Sequence, residues 1–213
     1  MRILNSRMAK IIKENNILKG PNFAGLSGNS TLESLHTLHN IIEDAKDNKK
    51  ELWVAFQDMA KAFDSISLTT LELVLKKINL SNNIIQLIIG LFKNRKIRVL
   101  TQVGATDYFN AKDGIDQGEA LSPLIWRIFY DPLLCRITQE KDLGYSIENY
   151  NTCKNNNSYA VLAYADDTAW IGSNRDNIIK IIDISEQFYK INDININGNK
   201  SEIIILNSQL PIE

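Results

Sequence analysis

A chain of 213 residues, 44% hydrophobic and 23% charged, has the composition of an ordinary globular protein with enough residues to bury a core. Its 24 basic and 25 acidic side chains give a formal net charge of −1, so charge alone does not mark a nucleic-acid binder; what matters is where Lys and Arg lie. Cys135 and Cys153 form neither a disulfide framework nor a metal spacing, the start lacks a signal-peptide core, and the most apolar stretch, 84–92, is too short to span a bilayer; an intracellular protein without membrane contact is expected.

Ile3, Leu4, Met8, Ile11 and Ile12, set against Arg2, Arg7, Lys10 and Lys13, predict an amphipathic helix over 2–16 with a basic face and no visible cap. The Gly-rich stretch 19–29 lacks P-loop spacing and reads as a connector. Ser30 or Thr31 can cap a helix running to about Lys46, whose His36 and His39 have no further ligand cluster and are not expected to hold a metal. Leu52 to Phe56 reads as a strand buried on both faces, with Asp58 at its carboxyl end. A carboxylate there suits ligand chemistry, and it suits capping of the next turn equally well.

Helices are predicted over 68–78 and 82–93, followed by a strand at 97–101 in a region carrying Lys93, Arg95, Lys96 and Arg98. Such a strand can track a phosphate backbone or guard an exposed edge. Gly104-Ala105-Thr106 reads as a hairpin turn, and the glycines of the segment 114–118 let the backbone approach a ligand. Ser122 as cap and Pro123 at the first helical position launch another helix, which Pro132 is expected to kink or interrupt. A polar, Asn-rich loop at 149–158 comes next.

The apolar runs 159–163 and 168–171 then meet at Tyr164-Ala165-Asp166-Asp167, a hairpin with two carboxylates at its tip. Stability alone would favour Asn-Gly or Asp-Gly there. Adjacent carboxylates repel, and one holds its proton unless a hard divalent cation neutralises the pair; taken alone, such a pair is most often a solvated turn. Asn174 caps a last helix, and 194–197 with 203–206 read as a strand pair around Gly198-Asn199-Lys200.

If the strand bearing Asp58 lies beside the hairpin bearing Asp166 and Asp167, the three carboxylates meet as two-metal phosphoryl or nucleotidyl transfer requires. The sequence resembles the reverse transcriptases of the non-LTR, LINE-like retrotransposon type. The residues that carry the resemblance are Asp58-Met59-Ala60-Lys61-Ala62-Phe63-Asp64 (motif A), Gly114-Ile115-Asp116-Gln117-Gly118 through Leu121-Ser122-Pro123 (motif B), Tyr164-Ala165-Asp166-Asp167 (motif C) and Asn197-Gly198-Asn199-Lys200-Ser201-Glu202 (motif D). Asp116 stands where many relatives have Pro or Arg, and Glu119 where many have a small residue.

The resemblance implies an α/β (α+β) right-hand polymerase palm, an antiparallel sheet backed by helices, with partial fingers and no thumb. The palm would be 51–66 and 122–213; the fingers would be 1–50 and 67–121, the latter with a basic hairpin. It also implies a chain truncated at both ends, lacking a fingertip hairpin before residue 1 and a primer grip and thumb after 213. Asp58, Asp166 and Asp167, with the main-chain carbonyl of Met59, would hold two Mg²⁺ ions, which Mn²⁺ can replace. Lys200 would protonate the departing pyrophosphate, Phe63 would exclude the 2′-hydroxyl, and Gln117, Gly118 and Tyr164 would border nucleotide or template. RNA template, DNA primer and dNTPs are the implied partners. Read by themselves, Phe63 is equally a core residue, Gln117 a loop-satisfying amide and Lys200 a solvated tip. Two other functions fit these residues: an inactive or domesticated fragment that binds nucleic acid, and an RNA-dependent RNA polymerase, against which Phe63 argues.

Overall fold

Alternate residues of the central strands enter two different cores, and this decides the architecture. The computed structural model describes residues 1–26, 28, 30–111, 113–147 and 157–209; Cys153 and most of the Asn-rich stretch lie outside them. The chain begins with helices α1 (Arg2–Glu14) and α2 (Thr31–Asp47), then strands β1 (Leu52–Gln57) and β2 (Met59–Ala60) and helices α3 (Leu68–Lys77) and α4 (Asn82–Phe92). Short strands β3 (Arg95–Ile97), β4 (Leu100–Thr101), β5 (Gly104–Ala105) and β6 (Phe109–Ala111) precede helix α5 (Ser122–Gln139). Strands β7 (Tyr145–Ile147), β8 (Asn157–Tyr159), β9 (Val161–Tyr164) and β10 (Asp167–Gly172) lead to helix α6 (Arg175–Ile191) and strands β11 (Asn195–Ile196) and β12 (Glu202–Leu206).

The main sheet has the order β12-β1-β10-β9, every neighbour antiparallel. Trp53, Ala55, Val161, Ala163 and Trp170 join the core that holds Trp126, Phe129 and Tyr130 of α5 and Ile178 and Ile181 of α6. Leu52, Val54, Leu162, Ala169 and Ile171 project the other way, into a core with Ile41 and Ala45 of α2. Period-two alternation of strand side chains therefore serves helices on both faces. Ser30 caps α2 by accepting from the Leu32 amide at 3.2 Å, and Asn174 caps α6 by accepting from the Asn177 amide at 2.9 Å. Among the described residues no helix is long and apolar enough to cross a membrane.

Four local expectations change. Helix α5 runs unbroken through Pro132, because residues from Leu124 to Ile137 are buried around much of its circumference and that packing outweighs one missing backbone hydrogen bond. Its cap is Leu121, and the Ser122 hydroxyl donates instead to the Asp116 carbonyl at 2.6 Å, closing the loop before the helix. The 95–111 hairpin turns at Gln102-Val103, with Gly104 paired to Thr101 inside the ribbon. The last two strands do not pair with each other: β11 pairs with β2 and β12 pairs with β1, because each finds a waiting edge beside Asp58.

One close approach binds the segment after β2 to the segment before α5. The Gly114 amide donates to the Ile66 carbonyl and the Ile115 amide to the Phe63 carbonyl, both at 2.9 Å. Gly114 has φ of +85°, and a Cβ there would sit 2.7 Å from the Asp64 carbonyl oxygen and 2.8 Å from its Cα. Left-handed strain of about 1–2 kcal/mol adds to an overpacking penalty of about 1–3 kcal/mol. Gly114→Ala is expected to lower Tm by roughly 5–10 °C in a circular-dichroism melt; an unchanged Tm would show that the two segments separate without loss.

Candidate active site

Strand register brings the distant carboxylates together. β1 pairs with β10 from Trp53 opposite Gly172 to Gln57 opposite Thr168. Asp58 and Asp167 are the next residues along the chain from that last pair, and the Asp58 charge acts on Asp167. Asp58 is held from its far side by the turn after β11. Its amide donates to Ser201 Oγ at 3.3 Å, and its carbonyl accepts from the Asn197 amide at 2.8 Å. That turn carries Lys200, whose Nζ lies 3.9 Å from Asp58 Oδ2.

Asp166 sits on the two-residue tip between β9 and β10, following Ala165, which has φ of +56°. A left-handed alanine costs about 1–2 kcal/mol, so the turn needs support beyond its own sequence. The Ala165 carbonyl accepts from Trp126 Nε1 at 2.8 Å and from Asn22 Nδ2 at 3.0 Å. Its amide donates to Asn22 Oδ1 at 3.2 Å. Three bonds at about 0.5–1.5 kcal/mol each are of the size that offsets the penalty. Behind the turn, Thr168 Oγ1 donates to the Asp166 carbonyl at 3.3 Å and bonds Tyr130 Oη at 3.2 Å; Tyr130 Oη bonds Tyr189 Oη at 2.9 Å. Burial pushes both phenols well above the ordinary tyrosine range, so both stay protonated.

Met59, Phe63, Gln117 and Asp166 line one small cavity of about 120 Å³ together with Lys61, Ala62 and Asp64. Phe63 is half-buried, its ring centroid 5.7 Å from that of Trp126. Gln117 and Gly118 are exposed on the loop before α5, and Gly118 has φ of +96°. Tyr164 stands apart from this cavity: it lines a groove of about 220 Å³ on the α2 side of the sheet with Leu35, Leu38 and Phe56. The negative charge of Asp116 is paired with Arg95, which also donates to the Gly114 carbonyl at 2.8 Å. Arg98 packs over the Tyr108 ring at 5.2 Å, so half of the basic group at 93–98 serves contacts within the protein.

Sequence reasoning missed Asn22 and Trp126, and it gave Ser201 no role beyond its place in the 197–202 motif. Trp126 is one apolar residue among many in α5, and Asn22 lay in a stretch read as a connector. The signal that leads to Asn22 is the alanine before Asp166: a residue with a Cβ where a tight tip prefers glycine or asparagine asks for an outside partner.

Asp167 holds its proton above the usual carboxylate range, first through partial burial and then through the charges of Asp166 and Asp58. Among the described residues no group of three or more His, Cys, Asp or Glu side chains is gathered tightly enough to enclose a metal ion as it stands. The charges of Asp166 and Asp58 both act on Asp167. Oxygen donors with no imidazole or thiolate beside them fit a hard dication such as Mg²⁺ or Mn²⁺.

The sequence profile of the family described as "Reverse transcriptase (RNA-dependent DNA polymerase)" matches residues 1–211. The "Retrovirus-related Pol polyprotein from type-1 retrotransposable element R2" of Popillia japonica is 24% identical over 201 residues, which are 94% of this chain and 27% of that protein. The "Probable RNA-directed DNA polymerase from transposon BS" of Drosophila melanogaster is 28% identical over 134 residues, 63% of this chain and 15% of that protein. The chain thus spans a minor part of the length of these curated relatives. The apo telomerase of Candida tropicalis, truncated from its C-terminal domain, superposes with a TM-score of 0.63 at 18% identity, covering 100% of this chain and 41% of that one; the two share a fold.

Because the proton on Asp167 is held more tightly in the folded chain than in the unfolded one, this group favours folding in acid, and that advantage is lost as pH rises through its folded pKa. Asp167→Asn is therefore expected to raise Tm by about 1–3 °C at pH 7 in EDTA, the scale of exposed charge pairs, and by less at pH 4. Paired melts at the two pH values check this; a destabilised variant at pH 7 would contradict the repulsion.

Proposed function

The chain belongs to the reverse transcriptase (RNA-dependent DNA polymerase) family, of the non-LTR retrotransposon type and with the polymerase palm fold, and from this membership we propose that it performs RNA-directed DNA synthesis by two-metal nucleotidyl transfer. The observation that supports the reading is the register of β1 on β10, whose last pair, Gln57 opposite Thr168, leaves Asp58 and Asp167 each one residue beyond it in the chain, close enough for the Asp58 charge to act on Asp167. On this reading residues 51–66 and 122–213 serve as palm, and 1–50 with 67–121 as fingers.

Asp58, Asp166 and Asp167, with the main-chain carbonyl of Met59, would hold two Mg²⁺ or Mn²⁺ ions. Bound there, the ions supply Lewis-acid activation of a primer 3′-hydroxyl and neutralisation of a triphosphate. The chain's own part is to aim those carboxylates and to bind the nucleotide. Lys200, beside Asp58, exchanges its carboxylate partner for the departing pyrophosphate and can give it a proton. Phe63, braced by Trp126 at the small cavity, stands under the incoming sugar and excludes a 2′-hydroxyl by contact. Gln117 and Gly118 border the nascent base pair, and Tyr164 borders the primer–template on the α2 side. RNA template, DNA primer and dNTPs are the partners this implies.

Primer extension on poly(rA)/oligo(dT) with Mg²⁺ is the direct test. Incorporation of dTTP by the parent chain and a loss of at least about 100-fold in Asp166→Asn are expected, the scale of removing one group that stabilises the transition state. Equal signal from both proteins, or none from either, would favour the inactive fragment that binds nucleic acid. In the same assay Phe63→Ala is expected to raise ribonucleotide use relative to deoxynucleotide use by about 10–100-fold, the range for a steric contact worth 1–3 kcal/mol. Equal use of both sugars by the parent would point to an RNA polymerase instead.

A further inference from the structure

The Gly-rich stretch before α2 carries a residue that the family motifs do not include and that touches the catalytic turn. Asn22 is 2% exposed. Its backbone is fixed independently of its side chain: Asn22 bridges Ala163 in parallel, the Ala163 amide donates to the Pro21 carbonyl at 3.0 Å, and the Phe23 amide donates to the Ala163 carbonyl at 2.9 Å. Residues 21–23 thus add a short extra rung to the free edge of β9. The side chain, delivered by that rung, turns toward the hairpin tip. Its Oδ1 accepts from the amides of Ala24 at 3.0 Å and Ala165 at 3.2 Å, and its Nδ2 donates to the Ala165 carbonyl at 3.0 Å.

One buried carboxamide therefore grips both polar groups of the single left-handed residue in the turn. Ala165 precedes Asp166 directly, so its φ and ψ set the direction in which the two carboxylates leave β9. Trp126 completes the grip from α5 by donating a second hydrogen bond to the same carbonyl. We propose that Asn22 is a positioning residue of the active site: its carboxamide locks Ala165 in the left-handed conformation and so aims Asp166 and Asp167 at the divalent-cation position. This rests on the reading of those carboxylates as cation ligands. A purely structural role, attaching 19–26 to the sheet, is already served by the backbone bonds and does not need the carboxamide.

The test compares the parent chain with Asn22→Leu, which keeps the volume and removes every polar contact, and with Asn22→Asp, which keeps the acceptor and removes the donor. Backbone amide exchange read by mass spectrometry should quicken about tenfold or more over 164–167 in Asn22→Leu while 161–163 stays protected. Mn²⁺ affinity from electron paramagnetic resonance titration should fall about tenfold, toward the lower end of the effect of removing outer-shell support from a metal site. In single-nucleotide incorporation kcat should fall about 10–100-fold with KM for dNTP within about threefold, because a misaimed ligand misplaces the reacting groups more than it weakens substrate binding. Asn22→Asp should fall between the two in exchange.

Exchange at 164–167 within twofold of the parent in both variants would overturn the proposal. So would loss of protection over 161–163 in both, since that shows attachment of the segment and not aiming of the turn. If the parent itself binds no Mn²⁺, the cation-ligand reading fails and this proposal's second half falls with it. The exchange data then still decide whether Asn22 locks the turn.

Discussion

Like charges forced into proximity by strand pairing are the constraint on which the rest of this molecule depends. The β1–β10 ladder is buried on both faces by apolar cores, and its register cannot slip by one residue without turning Trp170 and Ile171 to the wrong sides. Fixing that register fixes where Asp58 leaves β1 and where Asp167 begins β10. The electrostatic cost falls on the end of the ladder, where Asp167 holds its proton more tightly and Lys200 leans toward Asp58. The sheet tolerates that cost because the carboxylates lie at its rim, where water still screens them, while the stabilising contacts lie deeper.

Trp126 ties together three parts of the chain that are far apart in sequence. Its ring packs against Phe63 after β2, stacks with Tyr130 in its own helix at a centroid distance of 5.3 Å, and sends its indole N–H to the Ala165 carbonyl. A buried indole needs one hydrogen-bond acceptor, and the hairpin tip between β9 and β10 offers a carbonyl that β-pairing leaves free. Phe63 and Asp166 are therefore braced through one rigid ring, which makes the site a product of core packing as much as of loop conformation. The Arg95–Asp116 pair does the equivalent for the loop that carries Gln117, and it neutralises the acidic residue just before that glutamine.

Most elements were legible in the residues because the signals are local. The cap at Ser30 and the two apolar runs around Tyr164–Asp167 all depend on neighbours a few positions away. The failures are equally physical. Pro132 ends an isolated helix but not one whose sides are packed, and β11 and β12 look like partners until the open edges of β2 and β1 are seen. The stretch 19–29 looked like a connector because glycine reports backbone freedom and says nothing of Asn22 beside it.

The sequence by itself determined the chemistry on offer: which side chains are acidic, that two of them share a hairpin tip, and that four short motifs follow one another in the order of a known polymerase family. Local spacing carries that information, since periodicity and turn preference act over a few residues. Only the tertiary structure decided which groups come together: Asp58 near enough for its charge to act on Asp167, Lys200 with Asp58, and Asn22 and Trp126 with one strained alanine. Those meetings follow from register and from the need of every buried polar group for a partner, and both are properties of the folded whole.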